Sequence, residues 1–481
     1  MKKIVFLVSA SLLFPIWVLA QISLPNVFSD NMVLQQGKKV NVWGTAPEGE
    51  TVVVKFGKQS KKTKADANGC WKLQLDELQA TAKPQTMTVR GKKAKVTFKN
   101  VLVGEVWLAS GQSNMEYSMN NHPRYAKPER GNKERLAEEY RSADNPHIRV
   151  LHVAKDLKQD TLPTKGWKML SPESLAPVSA AAYFFAKELQ EKLGVPVGVI
   201  STSWGGTPIE TWTSEEAYAS SPVFGSQLKN HKLGNQQVGQ RYEKMVKPLI
   251  PYTLKGFLWY QGETNLINGD MENYADKKRV LIESWRSAWG DDRLPFYYVQ
   301  LAPYMYTNRK TDLIAKAWDA LPRFWEVQTS CLEIPYTGMV VTTDLVDNPK
   351  DIHPSYKWVV GERLSRIALA KDYGKEVAYQ GPTYKSMTVD GDKVVLEFEH
   401  AEGLTTRDGR SPDWFVVKTT KNRFDKAKAV IEGNKVILTH KLLAHPVVVR
   451  FAWDEVAMPN LVNEEGLPAV PFRVEIDESN N

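Results

Sequence analysis

A chain of 481 residues is longer than one hydrophobic core usually serves, so the sequence predicts two or three domains. Apolar residues make up 42% of the chain and charged residues 25%, a composition that excludes a disordered protein. The net charge of +8 is unevenly placed, because residues 21–100 hold 14 Lys and Arg against 6 Asp and Glu (+8), Lys2 and Lys3 add +2, and residues 101–481 sum to −2. A nucleic-acid-binding protein is therefore not indicated, and a solvated lysine-rich sheet face is the simpler interpretation.

The first twenty residues have the features of a signal peptide. A short basic start precedes an apolar stretch from Ile4 to Ala20, which ends in the cleavage-like Val18-Leu19-Ala20. Because the stretch is short for a membrane-spanning helix, cleavage is favoured over a membrane anchor. We therefore expect an exported protein, periplasmic or secreted, with no stable membrane insertion after cleavage.

Residues 21–100 predict a β-sandwich region. Short runs such as Val40-Asn41-Val42-Trp43 and Trp71-Lys72-Leu73 alternate apolar and polar residues, and Gly and Pro turns separate them. Cys70 in this region and Cys331 further along are the only cysteines. They are too few for a disulfide framework or a metal cluster, and we expect two buried thiols, with a disulfide as the alternative.

After Gly104 short apolar runs alternate with helical patterns. Strands are predicted at 105–110, 147–153, 196–201, 254–260, 296–302 and 338–343, and helices near 179–193, 240–248, 272–289, 313–328 and 356–370. This alternation is typical of an α/β domain with a doubly wound parallel sheet, which we place at 101–375. From about residue 380 the strand pattern returns, and a second β-rich region, 380–481, closes the chain.

Four loops follow the carboxyl ends of predicted strands, where open parallel sheets form their sites. In chain order these loops contain Gly111-Gln112-Ser113-Asn114-Met115, Trp204-Gly205-Gly206-Thr207, Gln261-Gly262-Glu263-Thr264-Asn265 and Asp351-Ile352-His353-Pro354. A serine becomes a nucleophile when a base takes its proton and a third group orients the base, and His353 with Asp351 can supply both. The sequence thus predicts Ser113, His353 and Asp351 as catalytic residues.

A tetrahedral intermediate also needs preorganised hydrogen-bond donors for its oxyanion. The backbone N–H of Ser113, a close backbone N–H at Gly205 or Gly206, and the side-chain amides of Gln261 and Asn265 are the candidates. Contacts with the substrate are assigned to six residues: Gln112, Asn114, Trp204, Thr207, Glu210 and Glu263.

Other chemistries fit the sequence less well. The Gly-x-Ser-x-Gly elbow, the His-Glu-x-x-His zinc motif and the glycine-rich phosphate loops are absent. A glycosidase pair of Glu263 and Glu210 stays open, but it leaves Ser113 and His353 without a role. No ligand cluster with metal spacing is visible, so we expect neither a metal nor another cofactor.

The four motifs together resemble those of sialate O-acetylesterases, carbohydrate esterases of the SGNH hydrolase superfamily. Their order and spacing agree over roughly residues 100–370. The resemblance implies an SGNH hydrolase core, Ser113 as nucleophile, His353 as base and acetate as the acyl group released. Many members of the superfamily place the Asp three residues before the His, where this chain has Lys350. Asp351, two residues before, takes that place here, and Glu263 is the alternative partner of His353.

The expected function is therefore an exported serine esterase that removes O-acetyl groups from sugars. Aromatic residues near the loops, among them Trp204 and Trp212, suit a sugar ring better than a lipid chain. Core packing is the alternative for these residues, and it is favoured for Trp259, which lies inside a predicted strand. The resemblance favours O-acetylated sialic acid, and acetylxylan or another glycan is the alternative. A non-catalytic carbohydrate-binding surface protein is the alternative from another class. The expected partner is a small or glycan O-acetyl ester, and nucleic acid is not expected.

Overall fold

The computed structural model describes residues 22–120, 127–225, 233–308, 317–443 and 447–476. The signal peptide expected over residues 1–20 lies outside these ranges. Within them, the chain is a mixed α/β protein with a large central sheet and further strands towards both ends. None of the helices in these ranges combines the length and the apolar character needed to cross a bilayer.

The strands predicted before residue 100 are present. They are β1 (Val33–Gln35), β2 (Val40–Thr45), β3 (Thr51–Phe56), β4 (Gln59–Lys64), β5 (Cys70–Leu75), β6 (Thr81–Arg90) and the start of β7 (Lys95–Gly111). β2 pairs with β5, and β3 pairs with both β4 and β6, all antiparallel. In β3, Val52 and Val54 are buried while Thr51 and Lys55 are exposed, as a strand covered on one face requires. That this region is a β-sandwich stays a prediction.

Strand β7 is 17 residues long and joins the N-terminal strands to the central sheet. Its first half pairs antiparallel with β6, and β1 lies parallel to it around Leu102. From Val101 to Gly111 every residue is buried, because this half of the strand is covered on both faces.

The predicted parallel strands form the central sheet. They are β8 (Ile148–His152), β10 (Val197–Ser203), β11 (Gly256–Tyr260), β12 (Phe296–Val299) and β13 (Thr337–Val340), with a short β9 (Lys168–Met169) at one edge. The order across the sheet is β13-β12-β11-β7-β10-β8-β9, and all neighbours are parallel except the antiparallel β8 and β9.

Helices cover both faces of this sheet. The helices are α1 (Ser113–Glu116), α2 (Arg135–Arg141), α3 (Pro172–Leu175), α4 (Ala180–Leu193), α5 (Glu215–Ser220), α6 (Glu263–Ile267), α7 (Tyr274–Trp289), α8 (Ala320–Ser330) and α9 (Lys357–Tyr373). On one face α4 and α9 share a core with Trp107, and on the other face α7 and α8 share a core with Leu108. α4 begins after a Ser179 cap and ends at a left-handed Gly194, so it occupies the range predicted for a helix near 179–193.

The helix predicted at 240–248 is wrong as an α-helix. Tyr242–Val246 forms a π-helical turn, and Lys247–Leu249 forms a 3-10 turn. Pro248 lacks the N–H that an α-helix needs at that position, and its ring clashes with the preceding turn. Pro251 follows soon after, so the segment breaks into short turns.

The C-terminal part is rich in β-strands, as expected. Its strands are β14 (Thr383–Asp390), β15 (Lys393–Glu399), β16 (Thr405–Thr406), β17 (Phe415–Lys418), β18 (Phe424–Lys426), β19 (Lys428–Glu432), β20 (Lys435–Thr439), β21 (Val447–Phe451), β22 (Leu461–Val462) and β23 (Phe472–Ile476). Two antiparallel four-stranded sheets result, β14-β15-β20-β19 and β18-β17-β21-β23.

The two cysteines are both free thiols. Cys331 is buried, as expected, but Cys70 is exposed. Cys70 opens strand β5 and points to its solvent side together with Lys72 and Gln74, while the alternate residues Trp71, Leu73 and Leu75 point into the core.

Candidate active site

Three neighbouring strands end level with one another at the edge that carries the candidate site. Gly111 of β7 lies opposite Ser203 of β10 on one side and Tyr260 of β11 on the other. The loops that follow these strands therefore start side by side. Gly111 has φ +143°, and a Cβ there would lie 2.1 Å from the Tyr260 carbonyl oxygen, so only glycine fits between the strands.

Ser113 is the first residue of the short helix α1 and is partly exposed. Gln112 precedes it in an extended conformation, and its carbonyl accepts the N–H groups of Met115 and Glu116. As the first residue of a helix, Ser113 has a backbone N–H with no partner inside the helix. The side-chain hydroxyl and the backbone N–H of Ser113 therefore lie together at the start of the helix.

The loop after β10 approaches Ser113 through Gly205. A Cβ built on Gly205 would lie 3.2 Å from the Ser113 Cβ, so a larger residue would crowd the serine. Gly206 has φ +71° and open space around it. The Trp204 N–H donates to the Gly111 carbonyl at 3.0 Å and ties this loop to the end of β7.

Two charged residues that the sequence analysis missed lie beside Gly205. The Glu116 carboxylate accepts the Gly205 N–H and forms an ion pair with Lys155. Glu116 lies three residues after Ser113, on the same side of α1. That spacing in the sequence could have indicated a carboxylate close to the serine.

The loop after β11 is held by its own polar side chains. Gln261 is fully buried, and its Nε2 donates to the Thr207 carbonyl (3.3 Å) and to Asn265 Oδ1 (2.7 Å). Asn265 Nδ2 donates to the carboxylates of Glu210 (3.1 Å) and Asp270 (2.9 Å). Both amides, predicted as oxyanion donors, have their N–H groups engaged inside the protein.

Two residues predicted to contact the substrate are buried as well. Glu210, 1% exposed, accepts from Asn265 and from Lys277 Nζ at 2.8 Å. Thr207, also 1% exposed, donates to the Trp204 carbonyl and accepts from Trp212 Nε1. These side chains hold the loops and do not reach the surface of the site.

The aromatic residues near the loops mostly pack in the interior. Trp212 and Trp259 are 0% and 1% exposed and lie edge to face with ring centroids 6.2 Å apart. Trp204 is only partly buried, and the Arg241 guanidinium lies 4.9 Å from its ring centroid. Of the three tryptophans, Trp204 alone is placed to meet a ligand.

Gln112 links the loops after β7 and β11. Its Oε1 accepts the N–H groups of Gly262 (3.3 Å) and Thr264 (3.2 Å). This arrangement fixes the orientation of the amide immediately before Ser113.

His353 and Asp351 lie in the loop between β13 and α9. Asp351 Oδ1 accepts the His353 backbone N–H at 2.9 Å and lies 3.7 Å from Nδ1. A carboxylate two residues before the histidine thus bonds the backbone and approaches the ring without a hydrogen bond to Nδ1 at this distance. Both side chains are partly exposed.

Asn114, next to Ser113, connects the serine loop to the histidine loop. Its Nδ2 donates to the Ile352 carbonyl at 3.0 Å, directly before His353, and to the Glu263 carboxylate. Its Oδ1 accepts from Lys357 Nζ at 2.7 Å. Asn114 is 1% exposed and connects the two loops, and its contact with the substrate stays a prediction.

Glu263 and Lys357 form a buried acid and base on either side of Asn114. Burial raises the pKa of the Glu263 carboxyl, against the effects of the Asn114 N–H and of the nearby His353. Burial lowers the pKa of Lys357 to about 7, while Glu263 and Asp351 oppose that shift. Lys357 Nζ also donates to the Pro354 carbonyl at 2.8 Å, so the ammonium holds the loop just after His353.

The sequence analysis missed Lys357. The sequence did indicate an unusual lysine, because a positive charge in the first turn of a helix is unfavourable next to the helix dipole unless a nearby group stabilises it. Its burial, however, depends on the loops that close over it.

Comparison with known proteins gives a consistent result. Residues 103–370 match the family described as "Carbohydrate esterase, sialic acid-specific acetylesterase". The sialate O-acetylesterases of Homo sapiens and Pongo abelii are each 29% identical to this chain, and each match covers 78% of this chain and 76% of the relative. A carbohydrate acetylesterase from Xanthomonas citri has a similar structure, with a TM-score of 0.82 and 33% identity over 94% of this chain and 99% of the other.

The Lys357→Met variant should lose esterase activity, because the loop carrying His353 loses its anchor at Pro354. The pH dependence of unfolding should change too. An unfolded lysine titrates near 10.4, above the folded pKa of about 7, so the unfolded chain binds more protons between these values. Stability of the parent relative to the variant should therefore rise with pH across that window, by up to about 1.4 kcal/mol per pH unit.

Urea unfolding of both proteins between pH 7 and pH 10 measures this difference. Lys375→Met, a substitution of an exposed lysine just beyond α9, serves as the control and should keep full activity. A difference in stability that does not change with pH would contradict the lowered pKa of Lys357.

Proposed function

Because the chain belongs to the sialic acid-specific acetylesterase family of carbohydrate esterases, we propose that it removes O-acetyl groups from sugars through Ser113 and His353. The chain is a carboxylic ester hydrolase, as the family assignment and the sialate O-acetylesterase relatives indicate. The observation that carries the proposed residues is the Asn114 side chain, which follows Ser113 in the chain and hydrogen-bonds the carbonyl that precedes His353.

In the proposed mechanism, the Ser113 hydroxyl oxygen attacks the acetyl carbonyl carbon while His353 accepts its proton. The tetrahedral intermediate collapses, the sugar oxygen leaves with the proton from His353, and an acetyl-serine remains. A water molecule, deprotonated by His353, then attacks the acetyl-serine. Collapse of this second intermediate releases acetate and returns the proton to Ser113.

The proposed oxyanion donors are backbone N–H groups at Ser113 and in the Gly205-Gly206 pair. The close approach of Gly205 to Ser113 supports this choice. Since Glu116 accepts the Gly205 N–H, that donor becomes available when the carboxylate moves aside. Gln261 and Asn265 support the loops in this scheme, because their amide N–H groups are already engaged.

Asp351 is the proposed partner of the protonated His353. Its carboxylate lies 3.7 Å from Nδ1 and needs only a small shift to form a hydrogen bond. Glu263 is the second candidate, because it is buried near enough to His353 for the two charges to interact.

O-acetylated sialic acid is the leading substrate, since the curated relatives named sialate O-acetylesterase cover most of this chain. Acetylxylan or another acetylated glycan is the second candidate substrate. The similar Xanthomonas citri protein supports this alternative, because its description as a carbohydrate acetylesterase does not specify sialic acid.

Export and domain organisation complete the proposal. The basic and apolar pattern of residues 1–20 supports cleavage and export. We place an N-terminal β-sandwich region at 21–100, the SGNH hydrolase domain at 101–375 and a C-terminal β-sandwich region at 380–481. The boundary near residue 100 then lies within the continuous strand β7.

Ser113→Ala and His353→Ala should each lower esterase turnover by about 10³-fold or more without unfolding the protein, because each removes a group that acts in bond making. Hydrolysis of p-nitrophenyl acetate, together with circular dichroism, measures both effects. Ser110→Ala is a matched control, because the Ser110 hydroxyl is buried with no hydrogen bond among the described residues. Near-normal turnover in a folded Ser113→Ala protein would rule out the mechanism.

Asp351→Asn should be milder than His353→Ala, because Asp351 only orients and stabilises the histidine. The pH dependence of kcat/KM for both variants and for Glu263→Gln separates the two candidate partners of His353. If Asp351→Asn leaves the profile unchanged while Glu263→Gln abolishes activity, the partner is Glu263.

Acetate release from 9-O-acetyl sialic acid should exceed release from acetylated xylan when the two are compared side by side. The Ser113→Ala protein provides the blank for each substrate. The opposite preference would replace the sialate assignment and leave the esterase assignment in place.

A further inference from the structure

The N-terminal strands present a surface of exposed positive charge, here called the basic face, made of Lys55, Lys62, Lys64, Arg90 and Lys95. The four strands β4, β3, β6 and β7 lie side by side, and these side chains project from the same side of them. In one row across the sheet, Lys62 is opposite Val53, Val53 is opposite Arg90, and Arg90 is opposite Lys95.

The positive charges of the basic face are not balanced by ion pairs among the described residues. Like charges directly opposite each other on neighbouring strands, such as Arg90 and Lys95, repel and destabilise the pair. No ion pair involves any residue of the basic face within the part of the chain that the structure describes. By contrast Lys61, whose side chain points the other way from β4, pairs with Asp76 at 2.6 Å.

A cleft of about 1150 Å³ lies on this face, and Lys92 and Lys93 of the β6–β7 turn add to its positive lining. Glu48 and Glu50 also line the cleft and offset part of this charge. Glu50 Oε1 accepts the Lys92 backbone N–H at 2.6 Å, and a Cβ on Gly91 would lie 2.1 Å from the same oxygen. Among the described residues neither carboxylate forms an ion pair, and the lysines and the arginine of the lining outnumber the two acids.

The basic face and Ser113 lie at opposite ends of strand β7. Lys95 is the first residue of β7, and Ser113 comes two positions after its last residue, Gly111. A strand advances about 3.3 Å per residue, so the 17 residues of β7 measure roughly 55 Å along the strand. A ligand on the basic face would therefore bind at the other end of this strand from an ester at Ser113.

We propose that the basic face binds an acidic polysaccharide and so holds the esterase on a polymer that carries its acetyl esters. The choice of a carbohydrate rests on the proposed sugar esterase function. The exposed cations stand on rigid strands, and Arg90 and Lys95, which face each other on adjacent strands, are about 4.8 Å apart across the sheet. Such closely placed cations suit the carboxylates or sulfates of an acidic polymer.

Two other polyanions fit the basic face less well. The large hydrophobic side chains that are exposed in the described residues all lie outside residues 22–100. An anionic membrane would therefore meet charge alone, without an apolar anchor. Single-stranded nucleic acid would find no exposed aromatic side chain on which its bases could stack.

Binding of polysialic acid and polygalacturonate by the full chain, measured by isothermal titration calorimetry at low and at physiological ionic strength, tests the proposal. Both should bind, and more salt should weaken the binding because surface charges are screened. Arg90→Glu/Lys95→Glu should weaken it by about tenfold or more. The control is Lys72→Glu/Lys83→Glu, which reverses the charge of two exposed lysines that do not line the cleft and should bind as the parent does.

Failure to bind either polysaccharide at low salt would overturn the proposal, and so would an equal loss in the control variant. Tighter binding of duplex DNA or of phosphatidylserine vesicles would replace the polysaccharide by that partner. Hydrolysis of p-nitrophenyl acetate should be the same in all these variants. Loss of that activity in the parent protein would instead reject the proposed esterase mechanism, so the two failures are distinguishable.

Discussion

The candidate active site depends on one buried amide, the side chain of Asn114. An amide can donate and accept at the same time, so Asn114 can stand between the Glu263 carboxylate and the Lys357 ammonium and hydrogen-bond to both. The second oxygen of Glu263, Oε2, is buried without a hydrogen bond among the described residues. Hydrogen bonds to charged groups contribute about 1.5–3 kcal/mol each, and a buried charge left without its partner costs more. Asn114 also donates to the Ile352 carbonyl. The hydrogen bonds that hold Asn114 between the acid and the base therefore also hold the histidine loop at a fixed distance from the serine loop.

Other buried polar side chains of the site join loops in the same way as Asn114. Polar side chains between the loops are used mainly to hold the loops to one another, as Gln261, Asn265 and Glu210 illustrate. In the proposed mechanism, the groups that act on the substrate are a hydroxyl, an imidazole and backbone N–H groups. A site built from backbone donors is rigid, because those donors move only when the strands and the helix start that carry them move.

Sequence patterns were sufficient for the strands, for the main helices and for the loops that meet at the sheet edge, because burial on both faces leaves continuous apolar runs such as Val106 to Ala109. They were not sufficient for the direction of polar side chains. Gln261 and Asn265 have the chemistry of oxyanion donors, but their partners come from loops distant in sequence. The burial of Lys357 was hidden for the same reason, since its environment forms only when three segments meet.

The continuous strand β7 also limits how such a protein can arise or be rearranged by recombination. Residues 95–111 form hydrogen bonds with the N-terminal strands at one end and with the catalytic sheet at the other. A chain cut near residue 100 would divide this strand and separate its two sets of hydrogen-bonded neighbours. The N-terminal strands and the central sheet therefore share one structural element, and a swap of the N-terminal region has to keep the whole of β7 with one of the two parts.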